Sequence, residues 1–229
     1  MLVLGIETAS STASAALLQD GALLCEHSVH HTRTHSETVM PMVERMLTDL
    51  GFAPSRLDAI AVNCGPGSFT GVRIGVCAAN AMGAALSIPV IGVDALNALY
   101  ENVSFWPGNV CAIIDAKNDN AYFAQYANGI VVAEPQAEEV AAYLNNVPPG
   151  TLFVGDGAAV YGALIEKTVA NAKIAPEYAA ISHASALCRA AERILKEAGD
   201  PPKEALPLYL RPSQAERMWQ KLHGESGQE

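Results

Sequence analysis

Two carboxylates, Glu7 and Asp115, each close a short apolar run and lead into a polar loop: Thr8-Ala9-Ser10-Ser11-Thr12 after the first and Ala116-Lys117-Asn118-Asp119-Asn120 after the second. Carboxylates placed this way, beside backbone amides and hydroxyls, are what a magnesium–nucleotide site would use. Thr8, Ser10, Ser11 and Asp115 are therefore candidates for contact with a nucleotide or another anion. Two features weigh the other way. Neither loop contains the glycine that lets backbone approach a phosphate closely, and Asp119 adds a repelling charge. Plain polar hairpins are the competing reading. A third candidate is Gly65-Pro66-Gly67-Ser68-Phe69-Thr70-Gly71, which joins an apolar strand to a helical pattern. Gly65, Gly67 and Ser68 could cradle an anion at the helix N-terminus. No lysine follows the second glycine, so the P-loop pattern is unmet. The alternative is a capped turn, with Ser68 or Thr70 as N-cap. His31 and His35 have the spacing of two metal ligands on a helix, but they lie in a polar connection with no third ligand in sequence reach. No serine or cysteine sits in a nucleophile elbow. Asn102-Val103-Ser104 is a glycosylation sequon only for a secreted chain.

The elements that must position these residues read as follows. Leu2–Ile6, Ala13–Leu18 and Ala22–Glu26 are strands, with Asp20-Gly21 as a hairpin signal. Glu37–Leu50 is helical, with Val39, Val43, Met46, Leu47 and Leu50 on one face. Leu57–Asn63 is a strand, Phe69–Leu86 a long helix, Ile88–Val93 a strand and Asp94–Tyr100 a helix. From Trp106-Pro107-Gly108 the pattern begins again. Strands are expected at Val110–Ile114, Ala121–Tyr126, Ile130–Ala133 and Leu152–Gly155. Helices are expected at Gln136–Asn145, Ala158–Val169 and His183–Gly199. One spacing of 108 residues relates Glu7 to Asp115, Ala13 to Ala121, Ala16 to Ala124 and Gly21 to Gly129. A strand ending in a carboxylate, two antiparallel strands and a helix therefore occur twice. The fold class implied is α/β, a duplicated actin-like or ribonuclease-H-like unit of βββαβα type. The expected units are residues 1–108, a reduced second copy at 109–212, and a tail at 213–229.

Gly71, Gly75, Ala79 and Gly83 recur every four residues and form one smooth ridge on the long helix. Each interior glycine costs about 0.5–1 kcal/mol relative to alanine. Close approach of another backbone would offset that, either from the protein's own sheet or from another subunit. Val72, Val76 and Met82 flank the ridge.

The chain has 229 residues, half of them apolar and 17% charged, which excludes a disordered protein. No uninterrupted apolar run reaches the ~18 residues of a bilayer span. The first residues lack a basic region and meet Glu7 at once, so a signal peptide is not expected. Five scattered cysteines without a CxxC pair suit reduced thiols in the cytoplasm. The net charge is −10, which disfavours unaided binding of nucleic acid. The exception is the tail, where Arg211, Arg217 and Lys221 flank Trp219.

Gly65-Pro66-Gly67-Ser68-Phe69-Thr70-Gly71-Val72-Arg73-Ile74-Gly75 resembles the signature of the TsaB (YeaZ) family. Ile6-Glu7-Thr8, His35-Ser36-Glu37, Gly155-Asp156-Gly157 and Tyr209-Leu210-Arg211 match its pattern in order, so the resemblance covers residues 1–212. It implies a non-catalytic activator needed with the transferase TsaD and the ATPase TsaE to make threonylcarbamoyladenosine beside the tRNA anticodon. TsaD carries a metal-binding HxxxH motif, and the matching stretch here holds Ala95 and Leu99. The resemblance therefore implies no metal and no catalytic residue. It implies no cofactor in the isolated chain, with ATP or ADP at most at a shared interface. Expected partners are TsaD, TsaE and a second copy of the chain, with tRNA reached only through the complex, in the cytoplasm and away from membranes. Gly71, Val72, Gly75, Val76, Ala79, Met82 and Gly83 are the expected partner interface. The rival readings are an actin-like ATPase using Glu7 and Asp115, and a glycoprotease-like metallopeptidase.

Overall fold

Asp20-Gly21 and Asn128-Gly129 each place two successive residues at positive φ, 50° with 81° and 50° with 88°. That left-handed pair makes a two-residue hairpin turn follow the twist of its strands. Both hairpins start a five-stranded sheet. The computed structural model describes residues 1–30, 35–197 and 199–212. Its first half runs β1 (Leu2–Glu7), β2 (Thr12–Gln19), β3 (Ala22–His30), α1 (His35–Asp49), β4 (Ala59–Asn63), α2 (Phe69–Leu86), β5 (Val90–Val93) and α3 (Ala95–Glu101). The second runs β6 (Asn109–Asp115), β7 (Asn120–Ala127), β8 (Ile130–Glu139), α4 (Val140–Leu144), β9 (Leu152–Val154), α5 (Asp156–Val160), α6 (Gly162–Thr168), β10 (Lys173–Ile174) and α7 (Ala184–Glu197). The strand orders are β3-β2-β1-β4-β5 and β8-β7-β6-β9-β10. In each sheet the first strand pairs antiparallel with the second and parallel with the fourth. The duplication inferred from the 108-residue spacing is thus present strand for strand.

All six residues of β1 are buried, because both faces of its sheet are covered. Leu2, Leu4 and Ile6 point into a core shared with Val39, Met46, Val72 and Val76 of α1 and α2. Val3 points the other way, against Leu187 and Ala191 of α7. Gly5 lets α7 come close: a Cβ there would strike the Ala184 carbonyl. In the second sheet, Ile113, Phe123 and Phe153 pack under α4 to α6, while Val110, Ala112 and Tyr126 meet Leu96 and Tyr100 of α3. Ala98 of α3 lies in the α7 core, so this short helix joins the two halves.

Four expectations need correction. Residues 184–212, assigned to the second unit, return to the first. Besides the α7 packing, the Gly21 amide donates to Glu192, Val90 to the Pro202 carbonyl, and Leu208 to the Cys64 carbonyl. The helix expected at Gln136–Asn145 is only Val140–Leu144, because β8 continues to Glu139, pairing Gln136–Glu139 with Asn120–Phe123 of β7. Those polar and alanine-rich residues suit a helix locally, and the ladder outweighs that preference. The helix expected at Ala158–Val169 is two, broken at Tyr161 (φ −103°).

The fourth concerns the ridge. Gly71, Val72, Gly75, Val76, Ala79 and Gly83 are all buried within the chain itself. A Cβ at Gly71 would overlap the Thr8 carbonyl oxygen, at Gly75 the Thr8 hydroxyl, and at Gly83 a methyl of Val90. The close approach that the glycines permit is therefore to the protein's own sheet, and Met82 packs on the same core. The opposite face of α2 is outward. Phe69, Arg73, Cys77, Ala81, Ala84 and Ala85 are exposed, and Ile74 and Ala78 half-buried. Over its 18 residues α2 reaches a mean hydropathy of 1.3, enough by length and composition for a membrane span, although Arg73 and Asn80 interrupt any continuous apolar run. His31, Arg217, Trp219 and Lys221, with the whole 213–229 tail, lie outside the described residues.

Candidate functional site

The ends of β1, β4 and β6 and the start of α2 open onto a cleft of about 1150 Å³ between the two halves. Ser10, Ser11, Gly67, Ser68 and Asp115 line it, so most of the candidate anion residues are brought together. Thr8 and Gly65 do not reach it. Thr8 is fully buried and its hydroxyl donates to the Gly71 carbonyl at 2.7 Å. Gly65 (φ +102°) has the Leu208 carbonyl 2.8 Å from where a Cβ would stand. Gly67 faces the Ala9 carbonyl more closely still, and that carbonyl accepts from the Ser68 amide at 2.7 Å. The Gly-Pro-Gly turn is thus packed backbone to backbone on the loop after β1. Ser68 caps α2 by accepting from the Gly71 amide at 3.2 Å, as the capped-turn alternative requires.

Glu7 sits behind the cleft floor, 0% exposed. Its Oε1 accepts from the Ala9 amide at 2.7 Å and the Ser10 amide at 3.2 Å. Its Oε2 accepts from Asn63 Nδ2 at 2.6 Å and from the Ser182 hydroxyl at 2.5 Å. Burial pushes the Glu7 carboxyl above its ordinary value, against the pull of these four donors. Asp115 differs. Burial pushes it up too, but Lys117, through its ammonium at 2.5 Å and its amide at 2.9 Å, and the Tyr161 hydroxyl at 2.9 Å hold it below the usual carboxylate value. Burial, then the hydrogen bond to Asp115, lifts Tyr161 to about 12. Asp156 accepts from the Asp115 amide at 3.0 Å, and burial raises its carboxyl.

Asn63, Ser182, Tyr161 and Asp156 escaped the sequence reading as site residues. Asn63 ends β4 and was legible only as a strand end, and Ser182 arrives from 175 residues beyond Glu7 with no motif around it. His35 is tied to the loop, with Nε2 2.9 Å from the Ser10 carbonyl. Ala95 and Leu99 share one face of α3 and line the cleft, where neither could coordinate a metal. Among the described residues no group of three or more His, Cys, Asp or Glu side chains is placed to hold a metal ion. Tyr209 of the Tyr-Leu-Arg segment stacks on Phe69 (centroids 4.8 Å apart) and accepts from Arg73 Nε at 3.0 Å, while Arg211 reaches the Ala116 carbonyl at 3.3 Å. That segment straps the start of α2 to the second unit.

A family model described as TsaD, tRNA N6-adenosine threonylcarbamoyltransferase, matches residues 29–219. Over 173 residues the chain is 34% identical to the tRNA threonylcarbamoyladenosine biosynthesis protein TsaB of Bacillus subtilis, covering 72% of this chain and 76% of that one. The chain belongs to the TsaB family. Its likeness to the TsaB of Haemophilus influenzae, at 29% identity, covers 98% of both chains. The solved structure of YeaZ from Pseudomonas aeruginosa superposes with a TM-score of 0.77 at 28% identity, over 91% of this chain and 99% of that one. The duplicated actin-like fold is therefore that of the TsaB family from the first strand to the strap.

Proposed function

We propose that this TsaB-family chain serves in making threonylcarbamoyladenosine in tRNA as a non-catalytic subunit that docks on a TsaD transferase. The observation that carries the docking is the outer face of α2. The helix has one charged residue in 18, Arg73, and its outward side presents Ile74, Cys77, Ala78 and Ala81 to solvent. Cys77, Ala78 and Ala81 are small enough to let a second helix approach to the 8–10 Å of ordinary helix packing. The match to the TsaD model supports a partner built on the same unit, which would present an equivalent helix. A second copy of this chain presents the same face and competes for it. The ridge residues stabilise α2 from within, and the interface is the surface opposite them.

In this reading TsaE joins the assembly, and tRNA is held by the complex, since a net charge of −10 disfavours holding a polyphosphate alone. The isolated chain needs no cofactor, any ATP or ADP sits at a shared interface, and the complex works in the cytoplasm. Reconstitution tests it. With TsaD, TsaE, tRNA and a threonylcarbamoyl donor present, leaving out this chain should abolish the modified nucleoside, and the chain alone should form none. Undiminished modification in its absence, or product from the chain by itself, would contradict the proposal.

A further inference from the structure

The two strand-end carboxylates are turned the same way. Glu7 Oε1 accepts from the amide two residues on at 2.7 Å, and Asp115 Oδ1 does the same with Lys117 at 2.9 Å. In the first loop the arrangement is complete. The consecutive amides of Ala9 and Ser10 converge on one oxygen of Glu7, and the Thr12 amide is taken by Ser10 Oγ at 3.2 Å. Consecutive amides converging on one oxygen form the nest in which backbone holds a phosphate or other oxyanion. The second oxygen of Glu7 is held by Asn63 Nδ2 and Ser182 Oγ. Four donors from three separate parts of the chain thus surround one carboxylate that is 0% exposed. Ser10, Asn63 and Ser182 also line the cleft with Glu7 behind them, so these donors turn inward onto the carboxylate rather than toward the cleft's contents.

We propose that this is an oxyanion site which the protein fills with its own Glu7, closing the first loop of the cleft to phosphate. The ligand class it would otherwise take is a small oxyanion, inorganic phosphate being the simplest. An incoming phosphate would find the Ala9 and Ser10 amides, Asn63 Nδ2 and the Ser182 hydroxyl already engaged by the carboxylate behind them. The inference rests on this geometry alone and stands whether or not the chain docks on a transferase.

Titration calorimetry with inorganic phosphate at constant ionic strength tests it on wild type, Glu7→Ala and Glu7→Gln. Glu7→Ala should bind phosphate at least tenfold more tightly than wild type, and adding Asn63→Ala should weaken that gain. Glu7→Gln keeps the side-chain volume and an acceptor for the two amides, so it should gain nothing. Should Glu7→Ala melt too easily for calorimetry, its melting temperature in phosphate against chloride gives the same answer: a rise in the variant and none in wild type. In wild type itself, the Ala9 and Ser10 amide resonances should hold still as phosphate or ATP is added. Saturable shifts of those resonances would overturn the proposal. So would a folded Glu7→Ala chain that gains no phosphate binding and no thermal stabilisation from it.

Discussion

Gly71→Ala should destabilise the chain by about 3 kcal/mol or more, a loss at the upper end of what overpacking produces. The added methyl would lie on the carbonyl oxygen of Thr8, and backbone at the end of β1 cannot rotate away as a side chain would. That carbonyl belongs to the loop that Glu7, Asn63 and Ser182 hold in place, so the strain has no soft outlet. Alanine would return about 1 kcal/mol of helix propensity, which the collision exceeds. Gly75→Ala is the graded control. Its new methyl meets the Thr8 hydroxyl, a rotatable group whose hydrogen bond to Gly71 would be lost, so the net cost should be smaller, about 1–2 kcal/mol. Denaturant unfolding of the three chains checks the order. Wild-type stability in Gly71→Ala would show that α2 does not sit on β1 as described.

The glycine ridge illustrates what the sequence could and could not disclose. Its four-residue period and its need for a close neighbour were legible from Gly71, Gly75 and Gly83 alone. Which neighbour was not, because a ridge that fits another subunit and a ridge that fits the chain's own strand have the same period. Deciding between them needs the position of Thr8 and Val90, a fact of tertiary packing. The hairpins were legible for the opposite reason: Asp20-Gly21 and Asn128-Gly129 determine their turns locally through positive φ. The extension of β8 was hidden, since its pairing with β7 overrides a local helical preference. Of the site, Glu7, Ser10 and Asp115 could be named from strand-end chemistry. Asn63 and Ser182 could not, because Asn63 meets Glu7 only through the parallel pairing of β4 with β1, and Ser182 only when the chain returns to the first sheet ahead of α7.

The second large effect should come from the other side of the same helix. Ala81→Glu places a charge at the centre of the exposed face of α2, where nothing in the monomer opposes it. Glutamate is a good helix former, so the folded chain should keep its stability to within about 0.5 kcal/mol. Binding to TsaD should weaken at least ~100-fold, about 2.7 kcal/mol, because docking would bury an unpaired carboxylate between two helices. Self-association should fall in parallel if the second copy uses the same face. Sedimentation of the variant with wild-type TsaD measures the loss, and thermal unfolding confirms the intact monomer. A variant that binds normally would move the interface elsewhere. Unlike Gly71→Ala, this change separates association from folding.

Cys77 allows the working surface to be read in the unaltered protein. It is the one exposed thiol of the five, on the outer face of α2, while Cys25 is half-buried and Cys64, Cys111 and Cys188 are buried. Burial also pushes the Cys64 thiol up to about 12, which further slows its reaction. The decisive measurement is the rate of maleimide addition to Cys77, followed by mass spectrometry, in the chain alone and with excess TsaD. Docking through the outer face of α2 predicts fast labelling of the free chain and at least tenfold slower labelling in the complex. An unchanged rate in a complex shown by sedimentation to be fully formed would contradict it.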